Sequence, residues 1–508
     1  VVSMDSLSQK ILKKAEEYSP LAREILAEAI RIPEDFLDRD PLCGLSNHEG
    51  PRLEYLKSKI QEIGAVFKKD DVFFDDFGNL VWILEDPKDP TPSQEKKIIY
   101  WDGHTDTVRA LREQWREKIG EGMDAYKGLV DKGKINKDFL RRELGYLPPE
   151  EEWENLIFGR GSADQLGGVV SQIIASKILV ELADEGALQG VKIYSYGTVT
   201  EEDNDGCGPM YLMRKELPGQ PSDRIPHVVI LTEGTGHAQE GALGIYRGQR
   251  GRMQIEVTVK GRSCHGSMPS EGLNPLEHGG RILAEAADAH EKGEGFLDHP
   301  FLGKGTRTAS WAHLETPSDC AVPEVFIFRF DRRLTVGETP EQALLDIENL
   351  SSVKKAREAG LEVNISVPYY DQPTWRGYRL GNPQIYLGWE TPEDHPVIQA
   401  AAKTYQNTVS HLAPSKEKDG SLRKHPRISR WIFSTDGVGF PVNKKKSGLT
   451  VPEDKTWIEV GDIHHPPMFG IGPGIEQNTH KIGEAMDLRE LVGAVAFLAA
   501  YPQYFRSC

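Results

Sequence analysis

The stretch Lys97–Asp106, with the sequence KIIYWDGHTD, reads as a short buried strand that runs into a histidine and an aspartate. A short apolar run with polar ends is typical of a strand covered on both faces. Similar strands are predicted over Val191–Val199 and His227–Leu231, and a helix that begins with paired glycines is predicted over Gly167–Leu182. This alternation of strand and helix predicts an α/β fold, a sheet with helices on its faces.

The pattern changes after Gly248. Gln254–Lys260 alternates like a half-exposed strand, and Val325–Asp331 is predicted to be another strand. Helices are predicted over Pro275–His290 and Pro340–Ala359. These elements predict a compact α+β block inside a larger unit. The expected organisation is a first part over residues 1–247, the α+β block over 248–388 and a second part over 389–508.

Length and charge restrict the class of protein. The chain has 508 residues, with 61 Lys and Arg against 78 Asp and Glu, which gives a net charge of −17. A chain of this length favours two or more structural units. Because binding to phosphates needs a basic surface, this charge argues against a nucleic-acid or anionic-membrane partner. A solvated acidic surface explains most of the excess, and part of it suits a metal site.

Neither a membrane protein nor a secreted one is indicated. No apolar run is long enough to span a bilayer, and the longest, near Leu491–Tyr501, is predicted to be a buried terminal helix. Val1–Pro20 is rich in Lys and Glu and lacks the apolar core of a secretory peptide. The five cysteines are scattered, without the spacing of a zinc knot or a disulfide framework. We therefore expect a protein of the reducing cytoplasm.

The first residues with candidate chemistry stand at the end of the quoted strand. His104 can offer an imidazole to a metal, and Asp106, two residues further on, can hold the other ring nitrogen. A histidine that is satisfied within the core is the alternative. In the glycine-rich stretch Gly159–Gly168, Asp164 can bridge two cations with its two carboxylate oxygens. Its alternative role is to cap the N-terminus of the helix that follows.

Acidic residues also follow two later strands. Glu201 and Glu202 are adjacent at a strand end, where two carboxylates repel each other unless a cation holds them. One of them can bind a metal while the other takes a proton from metal-bound water. An exposed acidic loop is the alternative. Glu233 follows a further apolar strand, and His480 is an isolated histidine after the turn Gly472–Gly474.

Taken together, these positions predict one site. Several of them follow strands, which is where open α/β sheets place their ligand sites. Two histidines and three carboxylates suit two borderline cations such as zinc, cobalt or manganese. The thiolates of a structural zinc site are missing from the set.

The order of the motifs resembles the acetylornithine deacetylase / succinyl-diaminopimelate desuccinylase / carboxypeptidase G-type metallopeptidase family. The resemblance rests on GHTDTV, GRGSADQLGG, TEED, TEG and a late histidine. It extends to DDFGNL and KGRSCHGSMP, and so covers nearly the whole chain. DRRLTVGETPE and FSTDGV look most like the branch described as selenium-metabolism-linked hydrolases. The resemblance implies a zinc-peptidase-like mixed sheet flanked by helices, with the α+β block as an inserted lid and dimerisation domain.

The resemblance also implies a role for each candidate. The implied ligands of two divalent ions are His104 and Glu233 on one ion, Glu202 and His480 on the other, and Asp164 between them. Glu201 would be the general base, and Asp106 would orient His104. Zinc is the expected metal, with cobalt or manganese as alternatives. A cis peptide bond is implied at Asp164–Gln165.

Two residues of the lid match the family as well. His265 would reach the substrate carbonyl, often across a dimer, so a homodimer or higher homo-oligomer is implied. Arg333 would contact a substrate carboxylate, and a surface ion pair with Asp331 or Glu338 is the equal alternative. Cys320 stands where the family often has an asparagine.

Other segments depart from the family or match no ligand. Leu111–Glu154 is a long charged insertion that is expected to reshape the mouth of the cleft, and Ser410–Arg427 is predicted to be a surface loop. His464 and His465 are predicted to be surface or loop residues. Asp436 is expected to have a structural role.

The expected function is two-metal-dependent hydrolysis of an amide bond in a small molecule. N-acyl amino acids, dipeptides and related carbamoyl compounds are the candidate substrates, with water activated by the metals and Glu201. A non-catalytic scaffold or regulatory homologue that keeps the fold is the alternative. The complete set of ligands argues against it.

Overall fold

The computed structural model describes residues 4–33, 44–413 and 425–508. Cys43 and residues 414–424 of the predicted surface loop lie outside the described residues. The strands of the two larger sheets are, in chain order, β1 Val72–Phe74, β2 Leu80–Leu84, β3 Lys97–His104, β4 Val191–Thr198, β5 Val228–Leu231, β6 Ile245–Gln249, β7 Gly251–Lys260, β8 Thr306–Glu315, β9 Val325–Leu334, β10 Glu362–Ser366, β11 Ile385–Tyr386, β12 Trp389–Glu390, β13 Ile428–Trp431 and β14 Met468–Gly470.

Proline begins several of the helices. Pro275, Pro340 and Pro396 stand in the first turn of their helices, where a missing N–H costs no hydrogen bond. Asn274 also caps its helix by accepting from two N–H groups of the first turn. Within the described ranges the α-helices are, in chain order, α1 Ser6–Glu17, α2 Ser19–Arg31, α3 Gly50–Glu62, α4 Arg112–Lys118, α5 Lys137–Glu143, α6 Gly167–Glu181, α7 Cys207–Tyr211, α8 Pro275–Glu291, α9 Pro340–Glu348, α10 Ser351–Glu358, α11 Pro396–Asn407 and α12 Leu488–Phe505.

The larger sheet is mixed. Within the described ranges its order is β1-β2-β4-β3-β5-β14-β6-β12, with β13 paired to β6. The centre, β4-β3-β5-β14, is parallel, whereas β1, β2 and β12 pair antiparallel with their neighbours. Ile99 and Trp101 of β3 pack in the same core as α6 and α12, while Ile98 and Tyr100 pack on the opposite face. Apolar cover on both faces explains why this strand is an unbroken apolar run.

The smaller sheet is antiparallel, in the order β8-β9-β7-β10 with β11 paired to β7. Buried residues alternate with half-buried ones along β7 and β9, as in a sheet with one covered face. Helices α8, α9 and α10 cover that face. The chain enters this sheet after β6 and returns to the larger sheet at β12. The predicted α/β class with an inserted α+β block is confirmed, and the predicted bounds of that block stay a prediction.

The single helix predicted over Pro340–Ala359 is wrong. The chain forms α9 and α10 instead, because Leu350 is extended and Glu285 of α8 caps the second helix. The carboxylate of Glu285 accepts from the N–H groups of Ser351 and Ser352 at 2.9 and 2.7 Å. The cap comes from a distant helix, so helical spacing alone could not show the break. Several further elements, among them α1, β6, β8 and β14, have no counterpart among the predicted ones.

The prediction that His464 and His465 are surface or loop residues is also wrong. Both lie on the strand Ile463–His465 and are only 7 % and 2 % exposed. Their rings pack against Trp457 and Trp389, with centroids 5.1 and 6.1 Å apart. The histidines are therefore part of the core beside β12.

The insertion Leu111–Glu154 has a small core of its own. Trp115, Ile119 and Leu140 pack together there and reach Ile482, near the C-terminal end of the chain.

Among the described residues, no helix combines the length and hydrophobicity needed to cross a membrane.

Candidate metal centre

The candidate site lies at one edge of the larger sheet. His104 is the last residue of β3, Glu201 and Glu202 follow β4, and Glu233 follows β5. These three strands are parallel neighbours, so their carboxyl ends meet at the same edge. Short polar connections at this edge therefore place acids from distant parts of the chain next to one histidine.

Asp164 lies between the two histidines. Its Oδ1 is 3.0 Å from His104 Nε2, and its Oδ2 is 2.8 Å from His480 Nε2. Glu233 Oε2 is 3.4 Å from His104 Nε2, and Glu202 Oε1 is 3.0 Å from His480 Nε2. The structure thus brings all five predicted ligands together. Their roles as ligands stay a prediction.

Overlapping groups of these residues have the spacing of metal ligands. Within each group the possible ligand atoms lie within 4.8 Å of one another. The groups are His104, Asp164 and Glu233; His104, Glu201 and Glu202; and Asp164, Glu202 and His480. The first and third groups share Asp164, which is the arrangement that a bridging carboxylate needs.

Asp106 connects His104 to the two adjacent glutamates. Its Oδ1 is 3.2 Å from His104 Nδ1 and accepts from the N–H of Glu201 at 3.1 Å. Its Oδ2 accepts from the N–H of Glu202 at 2.9 Å and from the hydroxyl of Ser46. Burial opposes ionisation of Asp106, but these hydrogen bonds hold its pKa below the usual value. One buried carboxylate therefore orients the imidazole and fixes the backbone of both glutamates.

Asp164 stands on a tight turn that is held from the C-terminal part of the chain. Glu484, which is fully buried, accepts from the N–H groups of Gly161, Ala163 and Asp164 at 3.0, 3.0 and 3.1 Å. Its other oxygen accepts from Arg160 at 2.9 Å. The peptide bond Asp164–Gln165 is cis, as the resemblance implies. The carboxylate of Asp164 does not cap α6, so that alternative is not realised.

The site contains more carboxylates than basic side chains, and its electrostatics favour bound cations. Burial and the neighbouring Asp164 raise the pKa of Glu233 well above the usual value, and the same two causes raise that of Glu202 to about 8. Burial works against a charged His480, but hydrogen bonds to Asp164 and Glu202 raise its pKa to about 11. Buried carboxylates outnumber the imidazoles, and they repel one another without added positive charge. The donor set therefore fits divalent metal ions.

The site opens into a cleft of about 410 Å³ between the two sheets. Besides the predicted site residues, the cleft is lined by Asp205, Arg252, Phe433, Ser434 and Thr479. The acidic run that continues past Glu202 could have pointed to Asp205, whereas no sequence signal singles out Arg252. Arg252 faces Arg333 directly across β7 and β9. The lid side of the cleft therefore presents two guanidinium groups to the acidic site.

The two lid candidates lie in different places. Arg333 lines the cleft, and its Nε is 3.1 Å from Asp331 Oδ1, so the ion pair with Asp331 forms beside the site. Glu338 pairs with Arg332 instead, at 2.6 Å. His265 is exposed on a short strand, and it does not line the cleft of its own chain. The predicted roles of His265 and Arg333 toward substrate stay predictions.

The other residues named in the sequence analysis, Asp436 and Cys320, form hydrogen bonds within the fold. Asp436 is buried and accepts from the hydroxyl of Thr198 at the end of β4. Cys320 is exposed, and its carbonyl accepts from the N–H of Gly266, beside His265. The insertion Leu111–Glu154 contacts the loop that carries His480, because Tyr146 and Asn478 exchange two hydrogen bonds of 3.2 and 2.9 Å.

Comparisons with known proteins bear on the family and on the fold. Residues 247–358 match the family model described as peptidase dimerisation domain. The uncharacterized protein YgeY of Escherichia coli (strain K12) is 29 % identical over 97 % of this chain and 96 % of its own length. Succinyl-diaminopimelate desuccinylase of Dechloromonas aromatica is 26 % identical over 37 % of this chain and 47 % of that protein. The dipeptidase Dug1p of Saccharomyces cerevisiae has the same fold, with a TM-score of 0.61, 14 % identity and 99 % coverage of both chains.

Proposed function

The chain belongs to the M20 family of metal-dependent deacylases and carboxypeptidases, and from this premise we propose that it hydrolyses an amide bond in a small substrate with two metal ions. The candidate substrates are N-acyl amino acids, dipeptides and related carbamoyl compounds. The observation that carries the proposal is the convergence of His104, Asp164 and His480 with three buried or half-buried glutamates.

Five side chains would hold the metals. His104 and Glu233 would bind one ion, Glu202 and His480 the other, and Asp164 both. Zinc fits these borderline ligands, and cobalt or manganese would fit as well. When bound, divalent ions lower the pKa of a water molecule and polarise the amide carbonyl.

Glu201 is the proposed general base. It is buried, lines the cleft and has its Oε2 3.4 Å from His104 Nε2. A carboxylate in this position can take the proton of the attacking water and pass it to the leaving nitrogen. Asp106 holds the N–H groups of both glutamates and so aligns the base with the ligand beside it.

A homodimer is proposed through the lid. Strand β8 is the outer strand of the smaller sheet, and residues 308–313 along it are all exposed. A long exposed edge strand can pair with a second copy of itself. In such a dimer the exposed His265 could reach the cleft of the other protomer.

The cytoplasm is the proposed compartment, which is supported by the free state of Cys207, Cys264, Cys320 and Cys508.

A metal-loaded activity screen tests the proposed function. Protein loaded with zinc, cobalt or manganese is assayed on N-acyl amino acids, dipeptides and N-carbamoyl compounds. Glu201→Gln is expected to abolish turnover while the metal content, measured by plasma mass spectrometry, is unchanged. Loss of metal in that variant would make Glu201 a ligand. A protein without bound divalent metal, and inactive after metals are added, would favour the scaffold.

A further inference from the structure

Residues 200–205, here called the acid loop, carry Glu201 and Glu202 and then contact the lid three times in succession. The lid is taken here as the segment 251–386, from β7 to β11. The contacts are, in order, Asp203 with Tyr370, Asn204 with Asn382 and Tyr386, and Asp205 with Arg252. None of these residues is a proposed metal ligand or the proposed base.

The central contact is a closed set of hydrogen bonds. Asn204 Nδ2 donates to Asn382 Oδ1 at 2.9 Å, and Asn382 Nδ2 donates back to Asn204 Oδ1 at 3.1 Å. The hydroxyl of Tyr386 donates to the same Asn204 oxygen at 2.6 Å. All three residues are at most 2 % exposed. Because a buried amide that loses a partner cannot turn to water, this contact has one favourable geometry.

The last contact is an ion pair with two parallel hydrogen bonds. Arg252 Nε and Nη2 donate to the two oxygens of Asp205 at 3.0 and 2.9 Å. Arg252 and Tyr386 are direct partners across β7 and β11, and the guanidinium lies 5.1 Å from the centre of the Tyr386 ring. Arg252 and Tyr386, which bind Asp205 and Asn204 of the acid loop, therefore stand on paired strands of the lid sheet.

The start of the acid loop is held by residues of the larger-sheet unit, here called the catalytic unit. The N–H of Thr200 donates to Glu49 at 2.9 Å, and the N–H groups of Glu201 and Glu202 donate to Asp106 at 3.1 and 2.9 Å. The two glutamates thus lie on a short loop fixed to the catalytic unit at its start and to the lid at its end.

We propose that Asn204, Asn382 and Tyr386 are positioning residues that make the placement of Glu201 and Glu202 depend on the placement of the lid. Movement of the lid sheet would pull the acid loop through Asn204. A displacement of about 1 Å at a reacting group can cost about 100-fold in rate. The catalytic consequence rests on the proposed function, whereas the mechanical link does not.

Hydrogen exchange tests the link without any substrate. Tyr386→Phe and Asn382→Ala, separately and combined, are compared with wild type as metal-loaded, full-length protein. The combined variant is expected to exchange the N–H groups of Glu201 and Glu202 at least about tenfold faster. The N–H groups of Ala163 and Asp164, which Glu484 holds, are expected to keep their wild-type exchange rates.

Tyr501→Phe is the matched control. It removes a buried hydroxyl that donates to the carbonyl of Val397 at 3.1 Å, between α11 and α12 and away from the site. It should change neither exchange in the acid loop nor turnover. Unchanged exchange at Glu201 and Glu202 in the combined Asn382 and Tyr386 variant would overturn the link.

Steady-state kinetics tests the role in turnover. On any substrate that the wild type hydrolyses, the combined variant is expected to lose about 10- to 100-fold in kcat at saturating metal, with KM changed less than about twofold. Faster exchange with an unchanged kcat would overturn the positioning role. If the wild type hydrolyses nothing, the proposed function fails, and the exchange rates still decide whether the lid holds the acid loop.

Discussion

Glu484→Gln is expected to weaken both the fold and the metal site, because Glu484 is a buried acceptor for four donors. Three are the N–H groups of Gly161, Ala163 and Asp164, and the fourth is Arg160. The amide replaces one acceptor oxygen with a donor, so either Arg160 or the backbone groups lose their partner. Removing one member of a buried ion pair costs about 3–5 kcal/mol. Arg160 keeps bonds to the carbonyls of Lys481 and Ala110, so we expect the lower end, about 3 kcal/mol.

The same substitution releases the turn that carries Asp164. Loss of a residue that supports a ligand typically weakens metal binding about 10- to 100-fold. Urea unfolding of metal-free protein measures the stability, and a zinc titration measures the affinity.

Glu143→Gln is the matched control for Glu484→Gln. Glu143 pairs with Lys481 at 3.7 Å, near the same loop, but both side chains are at least one-third exposed. Such a pair contributes less than about 1 kcal/mol. A Glu484→Gln protein within about 0.5 kcal/mol of wild type would refute the stability argument. A destabilised protein with unchanged zinc affinity would refute the link from Glu484 to Asp164.

Four further outcomes are expected. Burial lowers the pKa of His465 from 6.5 to about 4, so the unfolded chain binds the extra proton. The contribution of this histidine to stability is complete above pH 6.5 and falls by about 2 kcal/mol by pH 5, so urea unfolding should show a smaller loss between these pH values in His465→Leu than in wild type. Arg333→Ala should raise KM at least about tenfold for substrates with a carboxylate. Arg329 is the control, because it pairs with Glu256 on the same two strands but outside the cleft, and Arg329→Ala should leave KM unchanged. Equal effects of the two substitutions would contradict contact between Arg333 and substrate. Zinc at 100 times its Kd should stabilise the metal-free protein by about 2.7 kcal/mol, and no shift in the unfolding midpoint would argue against the metal site. Ala312→Lys on the edge strand β8 should weaken a dimer at least about tenfold by sedimentation, and a monomeric wild type would exclude the proposed interface.

Much of the site could be predicted because its signals are local. His104, Glu201, Glu202 and Glu233 each stand at or just after a recognisable strand, and parallel neighbours bring such positions to one edge. The signal for His480 is weaker, an isolated histidine after a glycine-rich turn, and its role as a ligand is implied by the resemblance alone. Its position in space depends on tertiary structure, which brings Asp164 and Glu202 within 3.0 Å of its ring.

The sequence by itself determined the α/β class, the inserted block and the residue types of the site, since hydrophobic periodicity and strand ends are properties of neighbouring residues. Only the tertiary structure decided which distant groups meet. The break before α10 depends on a carboxylate from α8, and the buried place of His465 depends on packing against Trp389. The hold of the lid on the acid loop likewise depends on Asn382 and Tyr386, which follow Asn204 by well over a hundred residues. A contact of this kind leaves no periodicity along the chain, because it exists only after both sheets have formed.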